Sequence, residues 1–377
     1  MSEIKVLHII SGFGGGIASF IQNKAESLAG ENIVFDAVTF NEPPLSFTEA
    51  ILKTGGKVYQ VSNPKKTSLK KFYQEVSEVF RKQPRDLYIH SHIQGYRAFP
   101  FYLMAKKFGY KTFGVHAHQS ASPYIKSRSM KRLENTINNV MATDYLSCGK
   151  LASEFVFGQK VVAENKVMHI PNSIDPDNYF NMIDVQRKKE EVLGESVKDT
   201  LIIGHVGRFN VQKNHPFMIE IIKKLRDMRI DFKWLFLGNG ELKEEIEKVV
   251  EQEKLDQHVL FLGHRKDVAE MYKVMDVLVL PSFHEGLPTV AVEAQAAGTI
   301  CLLSDIITDE VDLEMGLVQY LPLNDLSKWV NALIAIEKVE TSAEERLKIL
   351  HDKKFTNAES AELYKLFLEK KLSHYEI

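Results

Sequence analysis

The sequence predicts an α/β protein built from two doubly wound parallel sheets. Three observations predict it. Short apolar runs alternate with longer helix-like segments along the whole chain, the order expected of successive β-α-β units. The runs are nearly continuous in apolar residues, as strands are when helices cover both faces of their sheet. Finally, 377 residues exceed the length at which one hydrophobic core usually keeps growing.

In chain order, "KVLHII", "VFDAVTF", "DLYIHSH" and "KTFGVHAH" read as strands of a first domain over residues 1–171. The stretch "IPNSIDPDNYF", with its prolines and turn formers, marks a linker near residue 172, and the charged segment behind it reads as a short helix. "LIIGHVG", "KWLFLG", "VLFLG", "VLVLPS" and "TICLLSD" supply the strands of a second domain over residues 172–356. The tail, residues 357–377, carries apolar residues at helical spacing in "NAESAELYKLFLEKKL" and is expected to pack as a helix at the domain junction. Open α/β sheets bind ligands beyond the carboxyl ends of their strands. The chemistry is therefore sought at those ends.

Composition narrows the class. The two cysteines, Cys148 and Cys301, are too few for a disulfide framework and wrongly spaced for a zinc site, so a reducing cytoplasm is expected. The opening "MSEIKVLHIISG" reads as a strand and not as a signal peptide, and no apolar run reaches the ~18 residues of a spanning helix. A chain neither exported nor embedded is expected. Residues 1–180 hold 22 Lys and Arg against 15 Asp and Glu, whereas the remainder holds 26 against 35, so the halves differ in sign. Basic residues cluster at Lys65, Lys66, Lys70 and Lys71, at Lys106 and Lys107, and at Lys126, Arg128, Lys131 and Arg132. Such a face is either ordinary solvated surface or a surface for an anionic membrane or a nucleic acid.

In the first half, "HIISGFGGGIASF" is a strand running through glycines into a helix, where Gly14, Gly15 and Gly16 would let backbone N–H groups approach a phosphate. A dinucleotide fingerprint is incomplete here: Ile17 stands where a third glycine belongs, and Asp36 is followed by further strand-like residues. His90 and His92, then His116 and His118, are expected where two strands end at the same rim, either hydrogen-bonding a polar ligand or satisfied within their loops. A metal is not expected, because no carboxylate joins the imidazoles and the pairs stand on separate strands.

In the second half, "GHVGRFNVQKNHP" puts Arg208 and Lys213 on one strand-end loop, a fork and a point charge suited to two phosphoryl groups or, more plainly, to solvent. "FLGNGEL" and "FLGHRKDV" add Gly238, Gly240, Gly263 and Arg265 at further strand ends. The stretch "SFHEGLPTVAVEAQAAG" sets Glu285 on an exposed loop and Glu293 eight residues on, among small apolar residues. Pro288 suits the first position of a helix that Gly298 would cap, and the N–H groups of Gly286, Leu287 and Thr289 at its start could meet an anion.

Together these motifs resemble the retaining GT-B glycosyltransferases. "EGLPTVAVE" is similar to that family's E-x7-E signature, "GRFNVQKNH" to its G-R-x-x-x-x-K-N element, "IPNSIDPDNYF" to its linker and "GGGIASF" to its glycine loop. The resemblance covers residues 4 to about 305, with Ser173 where the linker usually has glycine. It implies two Rossmann-like domains facing a central cleft, with the tail returning to the first domain. It implies that Glu285 holds donor-sugar hydroxyls, Glu293 the ribose, and Arg208 with Lys213 the diphosphate. Gly15, Gly16, Gly238, Arg265, Gly286, Leu287, Pro288 and Thr289 complete the donor-binding set. His116 matches a histidine presented to the donor sugar, although His118 could be aligned there instead. The implied reaction moves a hexose or N-acetylhexosamine, with retention and without metal or cofactor, from a nucleotide diphosphate sugar, expected to be UDP-linked. A saccharide or lipid-linked saccharide would accept it in cell-surface glycan synthesis, with the basic face as a candidate for peripheral membrane contact and no nucleic acid partner. A 2-epimerase of nucleotide sugars and a non-catalytic partner subunit share the architecture.

Overall fold

The computed structural model describes residues 3–13, 16–122, 125, 127–194 and 200–373. The chain forms two compact units, one of Met1–Ser173 with Lys354–Ile377 and one of Ile174–Lys353.

In the first unit, seven strands form one parallel sheet: β1 (Ile4–Ile9), β2 (Ile33–Thr39), β3 (Val58–Gln60), β4 (Tyr88–Ser91), β5 (Gly114–Ala117), β6 (Asp144–Ser147) and β7 (Val167–His169). Their order is β3-β2-β1-β4-β5-β6-β7, so the winding reverses between β1 and β4. Such a reversal opens a crevice at the carboxyl ends of the two strands. The apolar runs of β1 and β2 bury Val6, Phe35 and Ala37 under Phe20 and Ile21 of the helix Gly16–Ser27. The helix Asn357–Ser373 packs on that same core through Tyr364 and Leu368.

The second unit repeats the plan with six strands: β8 (Leu201–Val206), β9 (Phe232–Leu237), β10 (Val259–Gly263), β11 (Val277–Leu280), β12 (Ile300–Ser304) and β13 (Val318–Leu321). The order β10-β9-β8-β11-β12-β13 reverses between β8 and β11. Trp234, Phe236, Ile222 and Val279 lie in its core.

Nine of these strands are the apolar runs named from the sequence; β3, β6, β7 and β13 are not. Three of the four are edge strands of three or four residues, half-exposed, so burial never demanded a continuous apolar run. β6, "DYLS", begins on Asp144, whose buried carboxylate meets Lys371 at 2.6 Å. A strand whose first residue is an acid satisfied from a distant helix carries no local apolar signal.

Candidate active site

In the second unit, the loop after β8 tightens into a 3-10 turn, Val211–Lys213, and local chemistry explains it. The Asn210 side chain accepts from the Lys213 N–H at 3.1 Å, and Asn214 ends the turn in the left-handed conformation, φ 57°. The helix His215–Asp227 follows with proline in its first turn. Lys213 thus leaves a rigid turn and its stem passes close to Gly207, where a Cβ would stand 3.1 Å from Lys213 Cε.

Lys213 Nζ reaches Glu285 Oε1 at 2.7 Å, with both side chains nearly out of solvent. Gln212 Nε2 donates to the other carboxylate oxygen at 3.0 Å and to the His284 carbonyl at 2.8 Å. Glu285 is 7% exposed. The expectation of an acid on an exposed loop is therefore corrected: two groups of the neighbouring loop draw it inward, and nothing within its own stretch of sequence says so. Arg208 does not join them. Its guanidinium takes Glu241 at 3.0 Å in an exposed pair. Arg265 is held by Asp267 through two hydrogen bonds, 2.7 and 2.5 Å, in a network that Lys188 extends.

Gly238 and Gly240 have a backbone reason to be glycine. A Cβ on Gly238, at φ +131°, would stand 2.1 Å from the Gly207 carbonyl oxygen, and one on Gly240 would stand 2.3 Å from that of Phe209. The loop of Arg208 and Lys213 is zipped to this one by Gly207 N–H to Leu237 O and Phe209 N–H to Asn239 O.

The stretch "GLP" of Gly286, Leu287 and Pro288 is buried, and the helix Thr289–Ala297 follows it. Pro288 occupies the N-cap position, one residue before the position expected of it, and no side chain caps that end. Gly298 closes the helix at φ +84°. Glu293, in the second turn, accepts from the Tyr272 hydroxyl at 2.8 Å. Burial pushes its carboxyl up, while hydrogen bonds from Tyr272 and Tyr179 pull it back. Tyr272, Tyr179 and Gln212 are missed by sequence reasoning. Gln212 has one signal, adjacency to Lys213; the tyrosines have none.

In the first unit, β1, β4 and β5 include a sheet neighbour pair on each side of β4, so their histidines converge: His8, His90, His92 and His116 are fully or almost fully buried, with His118 beside them. The two pairs stand at the ends of the neighbouring strands β4 and β5, and His8 on β1 adds a fifth imidazole. His8-His90-His92 and His92-His116-His118 each bring ring nitrogens within 4.8 Å. Burial lowers His8 and His118 to about 3 and holds the other three well below their usual range. Gly16 opens the helix Gly16–Ser27, with Asn172 3.2 Å from where a Cβ would be. Gly14, Gly15 and Lys126 lie outside the described residues. Asp36 is consumed structurally, by the Lys57 N–H and Gln83 Nε2 at 2.8 Å each and Lys5 at 3.2 Å. Ser173 does more than shape a turn: its hydroxyl takes Lys24 Nζ at 3.1 Å, and Ser360 takes the same ammonium at 2.6 Å.

Comparison with known proteins decides the class. A Bacillus subtilis (strain 168) protein named "Putative glycosyltransferase EpsF" is 32% identical over 338 residues, 88% of this chain and 87% of that one. This chain belongs to the GT-B glycosyltransferases. The family described as "Glycosyl transferases group 1" matches residues 186–312. An Escherichia coli glycosyltransferase, "UDP-Gal:alpha-D-GlcNAc-diphosphoundecaprenol alpha-1,3-galactosyltransferase", is 30% identical over 175 residues, 45% of each chain. Among solved GT-B structures, Anabaena HepE in complex with UDP and glucose has a TM-score of 0.77 at 17% identity, covering 97% of this chain and 100% of its own. As a GT-B glycosyltransferase, the chain pairs its two Rossmann-like units with transfer of a sugar.

Proposed function

We propose that the chain transfers a hexose or N-acetylhexosamine from a UDP-sugar to a hydroxyl of a lipid-linked or polymeric saccharide, retaining the anomeric configuration without a metal ion. The observation that carries this reading is the buried Lys213–Glu285 pair, steadied by Gln212 and set just before the uncapped helix Thr289–Ala297. As the anomeric C–O bond breaks, negative charge grows on the diphosphate. A preorganised cation and helix N–H groups stabilise such charge as a divalent metal does elsewhere. Lys213 would turn from Glu285 toward the phosphate, and the carboxylate would keep Gln212 while it takes sugar hydroxyls. Among the described residues Arg208 has only an exposed pair with Glu241 to give up, a contact worth about 0–1 kcal/mol. The acceptor oxygen attacks the anomeric carbon on the face the diphosphate leaves, and the departing phosphate oxygen takes the acceptor's proton.

The names of relatives support the substrates. The Escherichia coli relative is named for a UDP-linked donor and a diphosphoundecaprenol-linked acceptor, and its printed linkage is alpha. A cavity of about 300 Å³ in the first unit, lined by Gln94, Tyr96, Arg97, Gln119, Glu134 and Asn138, supports the reading that an acceptor sugar binds there. The helix Arg128–Met141 forms part of its wall and presents exposed Met130, Leu133 and Val140 beside Arg128 and Arg132. Apolar and basic residues so mixed suit the surface of an anionic bilayer. No helix among the described residues is long and apolar enough to cross one.

The test is incubation of the full chain with labelled UDP-sugars, with and without undecaprenyl-diphosphate-linked saccharides. Labelled lipid with an α linkage, formed equally well in EDTA, is expected. Failure of any UDP-sugar to bind in calorimetry would overturn the reading, and a 2-epimer formed without acceptor would replace it with epimerisation.

A further inference from the structure

The cavity of about 300 Å³ lies wholly within the first unit, and backbone partners fix what its polar walls present. Gln94 gives its Nε2 to the His116 carbonyl at 2.9 Å. A carbonyl only accepts, so this amide has one orientation, and the side chain keeps its oxygen as an acceptor. Asn138 is engaged at both ends: its Oδ1 accepts from the Gly95 N–H at 2.7 Å, and its Nδ2 donates to the Val156 carbonyl at 3.1 Å.

Glu134, on the helix Arg128–Met141, stands over Gly95. Gly95 has φ +62°, and a Cβ there would collide with Glu134 Oε2, so the carboxylate fills the space a side chain would take. Burial lifts its carboxyl above the ordinary value, while a hydrogen bond from the Tyr96 N–H and the charge of Arg97 pull it back. A carboxylate can accept about four hydrogen bonds, so one backbone donor does not fill it.

The polar wall is therefore rich in oxygen acceptors. Among the described residues that line the cavity Arg97 is the one cation, and it lies beside the carboxylate that offsets it. Ile125, Met130 and Phe155 add apolar surface, which suits the C–H face of a sugar ring. A ligand that fits this wall brings hydroxyl or amide N–H donors and no negative charge. An ionised phosphate or carboxylate offers acceptors alone and meets Glu134 as a like charge.

We propose that Glu134 is the specificity-determining residue of this cavity: it accepts hydrogen bonds from the hydroxyl or acetamido N–H groups of a neutral sugar ring, and so takes the sugar of the acceptor and turns away its diphosphate. That the sugar is an acceptor rests on the function proposed above; that the cavity holds a neutral sugar through Glu134 does not.

The experiment labels the tyrosine amides of the full chain with ¹⁵N and assigns Tyr96 by its loss in Tyr96→Phe. That signal is followed at pH 7.5 during separate additions of the methyl α-glycosides of glucose, galactose, N-acetylglucosamine, N-acetylgalactosamine and glucuronic acid, and of inorganic pyrophosphate. At least one neutral glycoside should shift Tyr96, while the glucuronide and pyrophosphate leave it in place. In Glu134→Gln the affinity for that glycoside should fall about 10- to 100-fold, the scale of one hydrogen bond to a charged group. Glutamine keeps an oxygen for the Tyr96 N–H, so a Glu134 with a structural role alone would leave the affinity unchanged. A Tyr96 signal that no neutral glycoside moves, a shift by the glucuronide or pyrophosphate as strong as by a neutral glycoside, or undiminished affinity in Glu134→Gln would each overturn the proposal. Should Glu134→Gln not fold, the choice between neutral and charged probes in the native chain decides it. A chain that binds a neutral glycoside here and no UDP-sugar would overturn the transfer and leave this site standing.

Discussion

Lys213 and Glu285 hold each other out of solvent, and that shapes what a single substitution can report. Removing one partner of such a pair leaves the other charge buried, which typically costs about 3–5 kcal/mol. Lys213→Ala is therefore expected to lower the melting temperature as well as to cut turnover by ~10²-fold or more, the scale of one charge-stabilising donor lost. The double variant Lys213→Met with Glu285→Gln separates the two effects. Its thermal melt should recover most of the loss while sugar transfer stays low; near-native transfer would remove Lys213 from the chemistry. Glu293 calls for a different probe. Tyr272→Phe takes away one of the hydrogen bonds that stabilise its ionised form, so its carboxyl should titrate still higher, a shift measurable by NMR on the ¹³C-labelled glutamate.

Elements here are joined by backbone and by one buried cation. The loop of Gly238 and Gly240 touches that of Arg208 and Lys213 so closely that a methyl group at either glycine must move them. Gly240→Ala should cost about 1–3 kcal/mol through overpacking and should weaken UDP-sugar binding in calorimetry without touching any ligand-facing side chain; unchanged affinity would show that the loops are not coupled. Lys24 ties the helix Gly16–Ser27 to Ser173 and to Ser360 on the last helix, and burial lowers it to about 7. Since its folded-state value lies below the usual 10.5, its contribution to stability improves as pH rises from 7 toward 10.5. Lys24→Met should melt higher than the native chain at pH 7, and the difference should shrink by pH 10.

For the whole molecule, the buried histidines set an acid limit. Five in the first unit are held well below 6.5, two of them at about 3. The unfolded chain takes up protons that the folded chain refuses, so the stability is whole above pH 6.5 and is lost as pH falls from 6.5 toward 3. One pH unit below 6.5 each such histidine costs about 1.4 kcal/mol, and several together approach the 5–15 kcal/mol of a typical domain. Both tryptophans, Trp234 and Trp329, lie in the second unit, where among the described residues three histidines, His205, His215 and His284, are lowered against five in the first. On acidification, helical circular dichroism should therefore begin to fall before tryptophan fluorescence changes. Coincident transitions would show that the units unfold as one. At the surface, replacing Arg128, Lys131 and Arg132 with glutamate should reduce sedimentation with anionic vesicles; equal sedimentation with neutral ones would end the case for membrane contact.

The sequence by itself determined the doubly wound sheets, because strands buried on both faces must be written as apolar runs, and it determined the last helix and the Gly298 cap, because periodicity and left-handed backbone are local requirements. It also named Glu285, Glu293, Lys213, His116 and the glycines of the strand ends as residues of interest. Only the tertiary structure decided their partners. Glu285 is buried because Gln212 and Lys213 come to it from 73 and 72 residues away, Arg208 goes to Glu241, and Tyr364 meets His90 across 274 positions. Such pairings are made where the sheet winds two distant segments side by side, and a charge or a hydroxyl bears no mark of the residue that will satisfy it.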